Sequence, residues 1–138
     1  MQYDAVFVWS NNNFSNATTL GNNLASYVDS GGGVVTAVFT DATVPLSGRF
    51  NTDDYWCINP SGQQSGARTM GTVYDATHPI MEGVNTFSGG SSSWRPTTTA
   101  VNPLATRIAD WTDGVPLIAI RTIDGVHRRA DLGFFPPS

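Results

Sequence analysis

Tyr3-Asp4-Ala5-Val6-Phe7-Val8-Trp9, then the polar cluster Ser10-Asn11-Asn12-Asn13, an amphipathic stretch, and Gly31-Gly32-Gly33-Val34-Val35-Thr36-Ala37-Val38-Phe39 together decide the fold. Two apolar, β-favouring runs flank a segment with helical spacing. Ala17, Leu20, Leu24, Tyr27 and Val28 recur three and four residues apart, which predicts a helix over 15–30. Ser15 is its expected N-cap, and Gly31 suits the left-handed position that ends it. Gly21 within the helix costs about 1 kcal/mol relative to alanine, so another segment is expected to approach closely there. A strand over 4–9, a helix and a strand over 34–39 make a right-handed crossover, which requires a parallel pair covered by helix. The second strand shows no alternation and reads as buried on both faces. In such a sheet a site lies in the crevice beyond the carboxyl ends of the strands.

Outward from this unit the signals thin. Residues 40–66 hold Pro45, Gly48, Pro60 and Gly62 and one short strand candidate, Asp54-Tyr55-Trp56-Cys57-Ile58. So long an excursion inside a compact domain is functional or carries structure of its own. A strand over 68–74 and a single helical turn over 78–84, packed by Ile80 and Met81, follow. Three strands over 105–111, 115–121 and 126–135 are joined at Asp113-Gly114 and Asp124-Gly125, dipeptides that favour tight hairpins. The expected fold class is α/β: a three-layer, flavodoxin-like domain with a mixed sheet, a parallel core and antiparallel C-terminal hairpins.

The 138 residues make one domain, able to bury about two-thirds of its unfolded surface. Only 13% of residues are charged, about half of the usual ~25%. All seven basic residues are Arg, and ten of the eleven acids are Asp, with Glu82 the exception. A net charge of −4 with scattered Arg lacks the footprint that a polyphosphate demands, so nucleic acid is not an expected partner. No apolar run approaches the ~20 residues that span a bilayer, so no membrane partner is expected. No basic–apolar leader precedes the first strand, and the chain reads as soluble. Its Lys-free, Asn- and Thr-rich surface resembles that of domains from secreted bacterial proteins. The single Cys57 excludes an internal disulfide and a thiolate metal cluster.

The order of segments resembles the class I glutamine-amidotransferase-like fold, and more closely its trehalose-utilisation-type branch. The resemblance is carried by Tyr3-Asp4-Ala5-Val6-Phe7-Val8, Gly31-Gly32-Gly33-Val34-Val35, Ala76-Thr77-His78-Pro79-Ile80-Met81-Glu82-Gly83-Val84, Asp113-Gly114-Val115-Pro116-Leu117-Ile118-Ala119 and Gly133-Phe134-Phe135-Pro136-Pro137. It covers most of the chain, with 41–66 unmatched. Working members place a nucleophilic Cys on the turn after the strand matching 34–39, and a His and a Glu after the last strand. Here that turn reads Thr40-Asp41-Ala42, the His position matches Phe135 and the Glu position matches Pro137. Phe and Pro transfer no proton, so the resemblance implies a scaffold without glutaminase chemistry. Complete members begin with a further strand–helix–strand, which this chain lacks. Either the chain was excised from a longer protein or it is a minimal version; in the latter case an uncovered sheet edge would invite pairing with a second copy, as a homodimer.

The residues offer two further candidates. Asp75-Ala76-Thr77-His78 sets a carboxylate beside an imidazole, which could serve as a base and its orienter or as part of a metal site. In the plainer reading, Asp75 caps the turn and His78 fixes the His-Pro corner. One His and one Asp are too few metal ligands unless Asp41 or Asp53 folds over, and Asp41 is also the other carboxylate considered for His78 as a base. A carbohydrate-active hydrolase or isomerase using His78 with Asp75 or Asp41 is the catalytic alternative to a binding or structural module. Ser10, Asn11 and Asn12, with Thr40 and Asp41, are expected at the carboxyl ends of adjacent strands. There they could hydrogen-bond a small, sugar-like ligand, His78 contributing, with Trp9 or Trp56 as stacking face. Ordinary turn chemistry explains the same residues. No cofactor and no metal are expected. His127, flanked by Arg128 and Arg129, reads as a solvated face, Cys57 as a buried hydrophobe, and Gly89-Gly90 lacks the helix and the cation of a phosphate loop.

Overall fold

The computed structural model describes residues 3–123, 125 and 127–136, with His127 and Arg128 described in the backbone only. Its chain runs β1 (Ala5–Val8), α1 (Ala17–Asp29), β2 (Gly33–Ala37), α2 (Arg49–Thr52), β3 (Gln63–Gln64), β4 (Met70–Val73), a 3₁₀ turn (Pro79–Met81), β5 (Arg95–Pro96), β6 (Thr106–Trp111), β7 (Pro116–Ile123) and β8 (His127–Leu132). Six strands form one mixed sheet in the order β1-β2-β8-β7-β6-β4, and β3 pairs with β5 in a small second one. β1, β2 and β8 run parallel, while β8, β7, β6 and β4 are joined antiparallel. The chain is therefore an α/β protein with a mixed sheet and few helices.

α1 begins one residue later than its pattern suggests. Asn16, not Ser15, is the N-cap, its side chain accepting the Thr19 N–H at 2.9 Å. The amide reaches N3 from a longer stem, which releases Ser15 to the preceding turn. Gly31 then takes a φ of 96°, the left-handed ending expected. α1 buries Gly21, Leu24, Ala25 and Val28. A Cβ at Gly21 would stand 1.8 Å from the Ser47 carbonyl oxygen, so the glycine is what lets the 40–61 segment lie against the helix.

β2 is buried on both faces only toward its carboxyl end, where Thr36 and Ala37 are both buried. Val34 and Thr36 are buried under α1, whereas Val35 is half-buried on the opposite side. The second face is covered at Ala37 and opens at Val35 and Gly33, toward the amino end of the strand. The 54–58 run is not a strand, since only Ile58 makes a bridge, to Val101. Its side chains serve packing instead: Leu46, Phe50, Tyr55 and Trp56 join Leu24, Ala25, Val28 and Val34 in one core.

The two faces of the sheet are covered differently. α1, α2 and residues 55–58 cover one. On the other, Ile80, Met81 and Phe87 pack with Ile118, Ile120 and Leu132, and among the described residues no α-helix lies there. Toward β1 that face opens, leaving Phe7 48% exposed. Among the described residues no helix is long and apolar enough to cross a membrane. Gly114 turns β6 into β7 with a φ of 79°. Of the second expected turn, Asp124 lies outside the described residues, as does Val126 of the third strand run.

Candidate functional site

In an open parallel sheet, ligands bind beyond the carboxyl ends of the strands. Here those ends deliver aromatic rings. Trp9 follows β1, Phe39 follows β2 and Phe135 follows β8. Phe39 stands 5.0 Å from Phe135 and 5.3 Å from Trp94 between ring centroids, and Trp9 meets Phe135 edge-on at 5.7 Å. Phe14 and Val44 close the same cluster. These arrangements, edge-to-face and tilted, are the favoured ones for aromatic pairs, so the rings pack as a plug. The position matched to a catalytic His is thus part of a hydrophobic cluster, and Pro137, matched to the Glu, lies outside the described residues.

The expected polar site does not assemble. Ser10, Asn11 and Asn12 lie at the surface after β1 and bond to one another: the Ser10 hydroxyl donates to the Asn12 carbonyl at 2.7 Å, and the Asn12 amide donates to Asn11 Oδ1 at 2.8 Å. Thr40 is fully buried, its hydroxyl donating to the Ala37 carbonyl at 2.7 Å. Asp41 is buried with 8% exposure. His78 lies across the sheet from Asp41, beside Ile80, which packs with Ile120 and Leu132. The structure therefore brings Ser10, Asn11 and Asn12 together, buries Thr40 and Asp41 in the turn after β2, and places His78 apart from both groups.

Asp75 and His78 are committed to the backbone. Asp75 Oδ1 accepts the Thr77 N–H and hydroxyl at 2.9 and 2.7 Å and the His78 N–H at 3.1 Å. The Thr77 hydroxyl, then its N–H, hold the Asp75 carboxyl below the usual carboxylate range. His78 Nδ1 accepts the Ile80 N–H at 3.2 Å, which caps the 3₁₀ turn. With Nδ1 accepting, the ring proton sits on Nε2. The ring borders a cavity of about 440 Å³ lined by Val35, Ile120 and Ala130 on the open side of the sheet.

The densest polar chemistry in the described residues lies elsewhere, on the helix-covered face. Asp131 Oδ1 accepts from the Thr36 hydroxyl and from Arg129 Nη2, both at 2.6 Å, and Oδ2 accepts the N–H groups of Cys57 and Ile58 at 2.6 and 2.8 Å. Arg129, 1% exposed, also donates to the Tyr55 carbonyl at 3.1 Å, and its guanidinium stacks over Phe50 at 4.6 Å. So Arg129 is no part of a solvated face. The expectation failed because adjacent charges were taken as exposed, whereas alternation sends Arg129 and Asp131 inward together. That i, i+2 pair of opposite charges, in a strand placed centrally, was the signal that could have found them. Asp41 lies near this network. Burial foremost, then the Asp131 charge, pushes its carboxyl up to about 7, and its Oδ1 has no hydrogen-bond partner.

Two further residues take structural places. Cys57 is fully buried, and burial, with the charge of Asp131, pushes its thiol up, away from thiolate reactivity. Trp56 is 2% exposed and donates to Asn51 Oδ1 at 3.1 Å, so it offers no stacking face. No three His, Cys, Asp or Glu side chains among the described residues converge as metal ligands. Compared with known proteins, the chain matches no family model, no curated protein and no solved structure.

Proposed function

We propose that this chain is a non-catalytic, amidotransferase-like binding or structural module on a three-layer, flavodoxin-like plan, which engages its partner through the open face of the sheet. The observation that carries this reading is the aromatic plug of Phe39, Trp94 and Phe135, which fills the place where an open α/β sheet performs chemistry. Nucleophilic catalysis needs a thiol or hydroxyl within reach of a base. Cys57 is buried among Ile58 and Ala119, and His78 Nδ1 is taken by a backbone N–H. The open face offers the opposite character: an apolar floor of Val35, Ile120 and Ala130 with the His78 ring at its border, in a cavity within the size range of small-molecule sites. A hydroxylated ligand at Ser10, Asn11 and Asn12, with exposed Trp9, is the narrower version of the same reading. A second copy pairing along β1 is the version with a protein partner.

Incubation with L-glutamine is expected to release no ammonia above that given by Cys57→Ala. Turnover abolished by Cys57→Ala would overturn the non-catalytic reading. Amide shift mapping against a mixture of small aromatic and sugar fragments is expected to move Val35, Ile120 and Ala130. Shifts confined to residues 9–12 would transfer the site to the carboxyl end of β1.

A further inference from the structure

The turn after β2 contains a buried acid that bonds its own backbone N–H but pairs with no cation among the described residues and leaves Oδ1 without a partner; the charged groups around it are committed elsewhere. Asp131 on β8 spends both oxygens on Thr36, Arg129 and the two amides of Cys57 and Ile58. Arg129 is held by Asp131 and by the carbonyls of Val34, Tyr55 and Ala130. Arg121 on β7, the other cation of this face, donates to the carbonyls of Asp54 and Trp56. Cys57, in the segment packed above, brings a thiol and no charge to offset. Neither cation bonds Asp41, and Asp131 brings a like charge to its side. A neutral carboxylic acid is tolerated in such a place, whereas a second carboxylate is penalised by burial and by repulsion together.

The backbone of the same turn holds the covering segment down. The Asp41 carbonyl accepts the Ser61 N–H at 3.0 Å, and the Thr40 carbonyl accepts the Leu46 N–H at 3.0 Å. Ser61 lies three residues beyond Ile58, whose amide Asp131 holds. For Asp41 to reach water, its turn must swing outward, and the Ser61 contact goes with it.

We propose that Asp41 is a proton-operated latch: protonated, it lets its turn hold residues 57–61 in place beside Asp131, and its ionisation loosens that hold while Phe50, Tyr55 and Trp56 stay in the core. Loosening at Ser61 would expose the amides of Cys57 and Ile58 that Asp131 holds, so this stretch of backbone opens more readily once Asp41 is ionised.

Amide hydrogen exchange tests this, with rates corrected for the intrinsic pH dependence of exchange. Between pH 5.5 and 8.5, protection at Cys57, Ile58 and Ser61 is expected to fall at least tenfold in the wild type and to stay level in Asp41→Asn. Unchanging protection in the wild type, or the same fall in Asp41→Asn, would overturn the latch. Should Asp41→Asn fail to fold, the ¹³C carboxyl titration of wild-type Asp41 decides. A midpoint near neutrality sustains the proposal, and one in the ordinary carboxylate range removes it.

Discussion

The two faces of the central sheet have exchanged the roles that solvent would assign them. The covered face, under α1, α2 and residues 55–58, carries Arg129, Asp131, Thr36 and Asp41, all buried. The face that opens toward solvent carries Phe7, Val35 and Ile120. On the covered face, segments of irregular backbone need their N–H groups satisfied, and Asp131 supplies acceptors for two of them. The charges there organise loops. On the open face the backbone anchors, Asp75 and His78, serve only the short turn at its border, and the sheet side chains of Val35, Ile120 and Ala130 are apolar.

The comparison breaks most severely at Asp131. Asp131→Asn removes the partner of a buried guanidinium, and a loss of about 3–5 kcal/mol is expected from urea unfolding followed by circular dichroism. A loss under about 1 kcal/mol would mean that the covered face does not depend on its ion pair. Less drastic is the effect of pH. Asp41 has its folded-state value raised from 3.8 to about 7. Its proton is bound more tightly in the folded chain, so its stabilising share is complete below pH 3.8, declines as pH rises, and is gone above about 7. The wild-type unfolding free energy is expected to fall by a few kcal/mol relative to Asp41→Asn between those limits. Parallel curves for the two proteins would refute this. Smallest is Phe7→Ser on the open face, where a change within about 1 kcal/mol is expected because the ring is already half in solvent. Its effect belongs to association: light scattering at high micromolar concentration should show the wild type as a dimer and Phe7→Ser shifted toward a ~15 kDa species, the mass of one 14.8 kDa chain. A monomeric wild type would sharpen the comparison by removing the second copy as the missing cover.

Where periodicity spoke, it was legible. The β1–α1–β2 unit and the β6–β7 hairpin follow from apolar runs, helical spacing and Asp113-Gly114, and Gly21 from its place on a buried stripe. The 40–66 excursion was not legible, because Leu46, Phe50, Tyr55 and Trp56 enter the core from turns and a single helical turn, with no repeat to expose them. For the site, Asp41 was named for its position after β2, but nothing in its spacing foretold that Asp131 of β8 would come close to it. Asp131 and Arg129 escaped because their role exists only once β8 is inserted beside β2. Ser10, Asn11 and Asn12 are neighbours by sequence alone, and spacing could not show that Thr40 would be buried or that His78 would stand apart from them.

One feature of the topology reaches beyond the folded state. β8, last of the strands in chain order, lies in the middle of the sheet, with β2 on one side and β7 on the other. During synthesis β2 leaves the ribosome long before the neighbour that completes its inner edge. Through that interval its amides and carbonyls stand open to any extended chain nearby. The nascent polypeptide is thus vulnerable until β8 arrives, and slowing translation ahead of β8 should cost soluble yield.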